Sequence, residues 1–141
     1  MAKQAADLCS GELDQRIVCE ACRRGVLAGH LPILRAHYQR KRDAMVSALA
    51  RSLAGGMRWS TPRGGFFLWA RLEPPTTSET LLSFALARGV IYVAGPAFFV
   101  DGRGEEYLRL SFSTPTPERI TLGVSRLAEA IQDATTSGSG S

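Results

Sequence analysis

Apolar residues recur along this chain with two different periods, and the change from one to the other outlines its elements. Leu34, Tyr38, Met45, Leu49 and Leu53 follow helical spacing, with Arg35, Arg40, Lys41 and Arg42 on the polar side. This predicts a long helix from about Leu31 to Leu53, with Pro32 in its first turn and Gly55-Gly56 at its end. Before it, Leu13, Ile17, Val18 and Ala21 predict a first helix, capped by Ser10 and stopped by Gly25. Met57 to Ser60 and Phe66 to Leu72 read as two strands joined by the turn Pro62-Arg63-Gly64-Gly65. Thr76 and Glu79 form a capping-box pattern ahead of Leu81, Leu82, Phe84, Ala85 and Leu86, and Gly89 stops that helix. Val90 to Val93 is predicted as a strand and Ala94 to Glu106 as a loop.

Strict alternation returns at Tyr107-Leu108-Arg109-Leu110-Ser111-Phe112. Leu108, Leu110 and Phe112 point one way, and Tyr107, Arg109 and Ser111 the other, as in a strand with one face on a core. Thr116 and Pro117 then open a last helix whose Ile120, Val124, Leu127 and Ile131 face inward. The expected fold is α/β in the two-layer α+β sense, a small and mainly antiparallel sheet packed with helices. The expected division is an N-terminal helical segment over 1–29, a main domain over 30–135, and a Ser/Gly linker over 136–141.

Composition narrows the function classes. With 141 residues, 45% hydrophobic and 21% charged, the chain has the make-up of one globular domain. No apolar run nears the ~20 residues of a membrane span. The net charge of +4 comes almost wholly from arginine, scattered outside Arg35 to Arg42 and without aromatic interleaving, so nucleic-acid binding is not expected. Met1 to Asp7 lacks the apolar core of a signal peptide, and three cysteines cannot all pair within one chain. A cytoplasmic setting is the expectation.

Two sets of residues carry candidate chemistry. Arg109, on a rigid strand and off the core face, presents a planar fork that matches a carboxylate with two parallel hydrogen bonds. Cys19 and Cys22, three residues apart on the first helix, are neighbours, with His30 and His37 as the available histidines. Such a group has the residue types of a thiol nucleophile and base, or of a partial metal site through Cys19, Cys22 and His30.

The ordered set of pieces resembles the C-terminal small domain of fold-type I pyridoxal-phosphate aminotransferases. The similar branch holds the 2-aminoadipate, kynurenine and aromatic aminotransferases and the aminotransferase-like half of the MocR regulators. The resemblance runs through His30, Leu34-Arg35, Tyr38, Arg42-Asp43, Pro62 to Trp69, Gly95, Phe98-Phe99, Gly104-Glu105, Tyr107 to Ser113 and Pro117 to Ile120. It implies that Arg109 grips the α-carboxylate of an amino-acid or 2-oxo-acid substrate. It also implies that the loops at Pro62 to Gly65 and Gly95 to Phe99 lie near the active site. Ala94 departs from the proline usual before the matching glycine.

Pyridoxal phosphate, the family's cofactor, needs a lysine for its Schiff base. The two lysines here are Lys3 and Lys41, and neither sits in the family's Ser-x-x-Lys setting. The resemblance therefore implies a domain that supplies the carboxylate grip, binds no cofactor alone, and depends on a large domain for transamination. Two alternatives stand beside it. One is a free-standing hydrolase using Cys19 or Cys22 with His30 or His37, or a metal held there. The other is a binding module that self-associates through Leu13, Ile17 and Val18, and homo-oligomers are expected under all three readings.

Overall fold

A computed structural model describes residues 11–138. The chain divides into two compact units, one ending at His37 and the other beginning at Tyr38. The first unit is helical. Helix α1 spans Glu12–Arg23, and helix α2, Val26–Ser52, begins in this unit and continues into the next. Ion pairs one turn apart, Arg16 with Glu12 at 2.6 Å and Arg24 with Glu20 at 2.8 Å, run along the surface of α1. None of its residues is buried, so the row of Leu13, Ile17 and Val18 lies open. The predicted Ser10 cap lies outside the described residues.

Helix α2 starts five residues earlier than the periodicity predicts, because Gly25 does more than stop α1. Its φ of +74° turns the chain sharply, and its carbonyl accepts the amide of Gly29 at 2.9 Å, which opens α2 at once. Pro32 is consequently inside the helix rather than in its first turn. Lys41 is a second correction: it is 7% exposed, not on the polar face. Burial is tolerated because its ammonium donates to the carbonyls of Ser113 at 2.7 Å and Thr114 at 3.4 Å.

The second unit holds a four-stranded antiparallel sheet in the order β1-β2-β4-β3. These strands are β1 Met57–Trp59, β2 Phe67–Leu72, β3 Val93–Ala94 and β4 Tyr107–Ser111. Helix α3, Ser78–Ala87, and helix α4, Pro117–Gly138, complete the unit. Leu68, Ala70 and Leu72 of β2 and Leu108 and Leu110 of β4 are buried. They share one core with Met45 and Leu49 of α2, Leu53 just after it, Leu81 and Ala85 of α3, and Ile120, Val124, Leu127 and Ile131 of α4. The expected two-layer arrangement is therefore present, with alternation deciding which face of each strand meets the helices.

Local chemistry moves three boundaries. Thr77 rather than Thr76 caps α3, its hydroxyl accepting the amide of Thr80 at 3.2 Å. Thr76 is buried instead, with its hydroxyl 3.3 Å from that of Thr135. Of the stretch predicted as strand only Val93 pairs with β4, and Ala94, expected in the loop, extends the pairing by one residue. Upstream, the amide of Val90 closes the end of α3 on Ala85 at 2.9 Å, and Tyr92 turns inward to donate to the carbonyl of Ser78 at 2.5 Å. Helix α4 continues through Ser137 and Gly138, with the hydroxyls of Thr135 and Thr136 donating to carbonyls one turn back. Among the described residues no helix is long and apolar enough to cross a membrane.

The segment after β3 is a 3₁₀ turn, Gly95–Phe98, rather than plain loop. A Cβ on Gly95 would collide with the backbone carbonyl of Gly104, and one on Gly104, at φ +94°, with the ring of Phe99. Gly95→Ala is expected to cost about 3 kcal/mol or more, because backbone must move to admit the methyl group. Gly64→Ala, which meets open space, is expected to stay within about 0.5 kcal/mol of the parent; urea denaturation reads both.

Burial pushes the Tyr92 phenol well above its ordinary value of about 10. Below that value the folded and unfolded chains hold the same proton. Above it the unfolded chain loses the proton first, so stability should fall as the pH rises past about 10. Tyr92→Phe is expected to flatten that alkaline decline in urea midpoints measured between pH 8 and 11.

Candidate functional site

Arg109 stands at the middle of β4, with Trp69 of β2 beside it on one flank and Val93 of β3 on the other. Leu108 and Leu110 enter the core, so Arg109 is carried on the opposite face with Tyr107 and Ser111. The same alternation in β2 puts Phe67, Trp69 and Arg71 on that face. The site is thus the open side of the sheet, with a guanidinium at its centre.

Aromatic rings surround it. The guanidinium carbon of Arg109 lies 4.0 Å from the ring centre of Phe67 and 4.8 Å from that of Phe98. Phe98 meets Trp69 edge-on at 5.2 Å, and Trp69 stacks on Tyr107 at 5.5 Å, which stacks in turn near Phe99 at 6.1 Å. An open cavity of about 810 Å³ continues this face past Trp69 and Tyr107 to Asp101, Glu105 and Glu106. Among the described residues no carboxylate forms an ion pair with Arg109. Its planar donors are therefore not spent on a carboxylate of the described residues.

Helix α2 braces the surroundings. Arg42 donates to the carbonyl of Pro62 at 3.3 Å and pairs with Asp43 at 2.6 Å. Tyr38 meets Phe66 edge-on at 4.7 Å, so the loop before β2 is held from the same helix. Lys41 grips the chain just beyond β4 through the Ser113 and Thr114 carbonyls.

The other predicted residues lie apart from Arg109 in sequence and in unit. Cys19 and Cys22 are both exposed on α1, and His30 and His37 are on α2. Cys19 and Cys22 share a helix at a spacing of three; among the described residues no group of three or more His, Cys, Asp or Glu side chains is placed to hold a metal ion.

Sequence reasoning missed the contacts of Phe67 and Phe98 with Arg109, and the burial of Lys41. The alternation of Phe67 and Trp69 with Leu68 and Ala70 carries the first signal, since it puts both rings on the face of Arg109 once β2 pairs with β4. No sequence signal marks Lys41.

The sheet with helices against one face and an arginine on the other defines a small two-layer α+β domain. The family model for Aminotransferase class I and II matches residues 1–127. Aromatic-amino-acid aminotransferase 1 of Thermococcus litoralis is 38% identical over 94% of this chain and 32% of its own length. Among solved structures, the α-aminoadipate aminotransferase of Thermus thermophilus, complexed with N-(5'-phosphopyridoxyl)-L-leucine, superposes with a TM-score of 0.84. It is 38% identical over 96% of this chain and 34% of that one. The kynurenine aminotransferase of Pyrococcus horikoshii gives a TM-score of 0.86 at 36% identity, over 94% of this chain and 33% of its own. The chain belongs to the class I and II aminotransferases. It spans about a third of the length of the relatives it matches.

Lys41→Met keeps the aliphatic stem but removes the ammonium that donates to the Ser113 and Thr114 carbonyls. The expected loss is about 1.5–3 kcal/mol of stability, the usual worth of a charge-assisted hydrogen bond. Chemical denaturation of the two chains at matched pH measures it.

Proposed function

We propose that this chain is the small domain of a pyridoxal-phosphate aminotransferase, in which Arg109 holds the α-carboxylate of the amino-acid or 2-oxo-acid substrate. The observation that carries the reading is the state of that guanidinium: it sits at mid-strand, flanked by two rings, with no carboxylate of the described chain paired to it. Such a group meets a substrate carboxylate in two parallel hydrogen bonds, and the strand beneath fixes its position.

Pyridoxal phosphate supplies the electron sink for amino-group transfer, and its anchor is a lysine amine. The lysine described here does not fit that role, because the Lys41 ammonium is buried and given to two backbone carbonyls. Lys3 lies outside the described residues. We assign the cofactor's anchor, and the residues that select the substrate side chain, to the two-thirds of the relatives' length that this chain does not match. The open apolar row on α1 is the surface we assign to contact with that larger part.

The 141-residue chain mixed with pyridoxal phosphate is expected to show neither Schiff-base absorbance nor transamination. Supplying the large domain of a matched relative is expected to restore turnover. In that reconstituted enzyme Arg109→Met should lower kcat/KM about a hundredfold, as loss of a charged hydrogen-bond pair does. A stable yellow adduct of the chain alone, lost in Lys41→Ala, would overturn the proposal.

A further inference from the structure

We infer that Phe67 and Phe98 turn Arg109 into a slot for planar anions, and that Phe98 is the positioning residue for its preference for a carboxylate over a tetrahedral oxyanion. The inference rests on the carboxylate reading of Arg109 and sharpens it.

A guanidinium has two flat faces and an edge. Its N–H donors all lie in the plane, so hydrogen bonds leave from the edge, whereas the faces attract aromatic rings. The guanidinium carbon of Arg109 lies over two rings, at 4.0 Å and 4.8 Å. They arrive from opposite neighbours of β4: Phe67 from β2, and Phe98 from the 3₁₀ turn that follows β3. With rings against it, the group offers an anion its edge. A carboxylate is flat and lies in the guanidinium plane, between the rings. A sulfate or phosphate carries oxygens out of that plane, directed at the rings, and loses contact to avoid them. The rings also displace water from the cation, which strengthens its attraction for whatever anion does fit.

Phe98 is the better-controlled of the two walls. Its edge contact with Trp69 fixes its tilt, and the close approach of Gly95 to the Gly104 carbonyl fixes the turn that carries it. Both phenylalanines remain open to solvent, Phe67 at 43% and Phe98 at 44%. Neither belongs to the buried core, so shortening either one leaves the fold in place.

The test titrates the 141-residue chain with sodium acetate and, separately, sodium sulfate at matched ionic strength. Nitrogen-15 NMR follows the Nε–H of Arg109 and the amides of β4. The parent chain should bind acetate more tightly than sulfate, despite the greater charge of sulfate. Phe98→Leu should weaken acetate binding about threefold to tenfold, the worth of one cation–π contact, and abolish the preference. It should also release the upfield ring-current shift of the Arg109 side-chain protons. Phe98→Tyr, which keeps the ring, should keep all three properties, and Phe67→Leu should repeat the loss from the other wall.

Arg109→Met separates the two levels of the argument. If it leaves the acetate response of the β4 amides unchanged, the carboxylate reading fails and the slot fails with it. If it abolishes that response while both leucine variants retain the preference for acetate, the slot alone is overturned. A parent chain that shows no preference overturns it equally.

Discussion

Leu108 and Leu110, at 0% and 6% exposure, commit one face of β4 to the core, and side-chain alternation then leaves Arg109 no choice of side. A slip of one residue in the pairing with β2 would bury the guanidinium and expose both leucines. The apolar contacts beneath the sheet therefore set the position of the charge above it. Because β4 lies between β2 and β3, the arginine is also bounded by side chains from both neighbours. A charge held in this way does not need a partner from its own chain to fix its place.

What covers the open face depends on backbone rather than on side chains. Gly95 lies so close to the Gly104 carbonyl that it tolerates no Cβ, and a Cβ on Gly104 would meet the Phe99 ring; this tight packing holds Phe98 and Phe99 over the sheet. The rings then order themselves by their own geometry, Phe98 edge-on to Trp69 and Trp69 stacked on Tyr107. Helix α2 supports the same region twice, through Arg42 on the Pro62 carbonyl and Lys41 on the carbonyls after β4. Both ties replace water around backbone oxygens with a cation, so they fix loops that the sheet itself does not reach.

The likeness to whole aminotransferases covers nearly all of this chain and about a third of theirs. That proportion suits the chemistry seen here. The chain holds an arginine with two rings packed against it, while its buried Lys41 is engaged in structure. Cys19 and Cys22 are exposed on α1 and belong to the other unit, away in sequence from the arginine.

Much of the architecture was legible in the residue pattern. The alternation at Tyr107 to Phe112 placed Arg109 off the core, and the helical spacing of Ile120, Val124, Leu127 and Ile131 named the inward face of α4, because both depend on the geometry of a single element. The ordered motifs from His30 to Ile120 likewise pointed to the family. The tertiary structure decided what depends on two elements meeting. The burial of Lys41 needed the chain after β4 to arrive at α2, and the shift of the α3 cap to Thr77 left Thr76 to meet Thr135. Val90 and Ile91 had the composition of a strand, yet the close of α3 claimed the Val90 amide first. The rings at Arg109 come from residues 42 and 11 positions away in the chain, and a distance of that kind is set by folding, not by local periodicity.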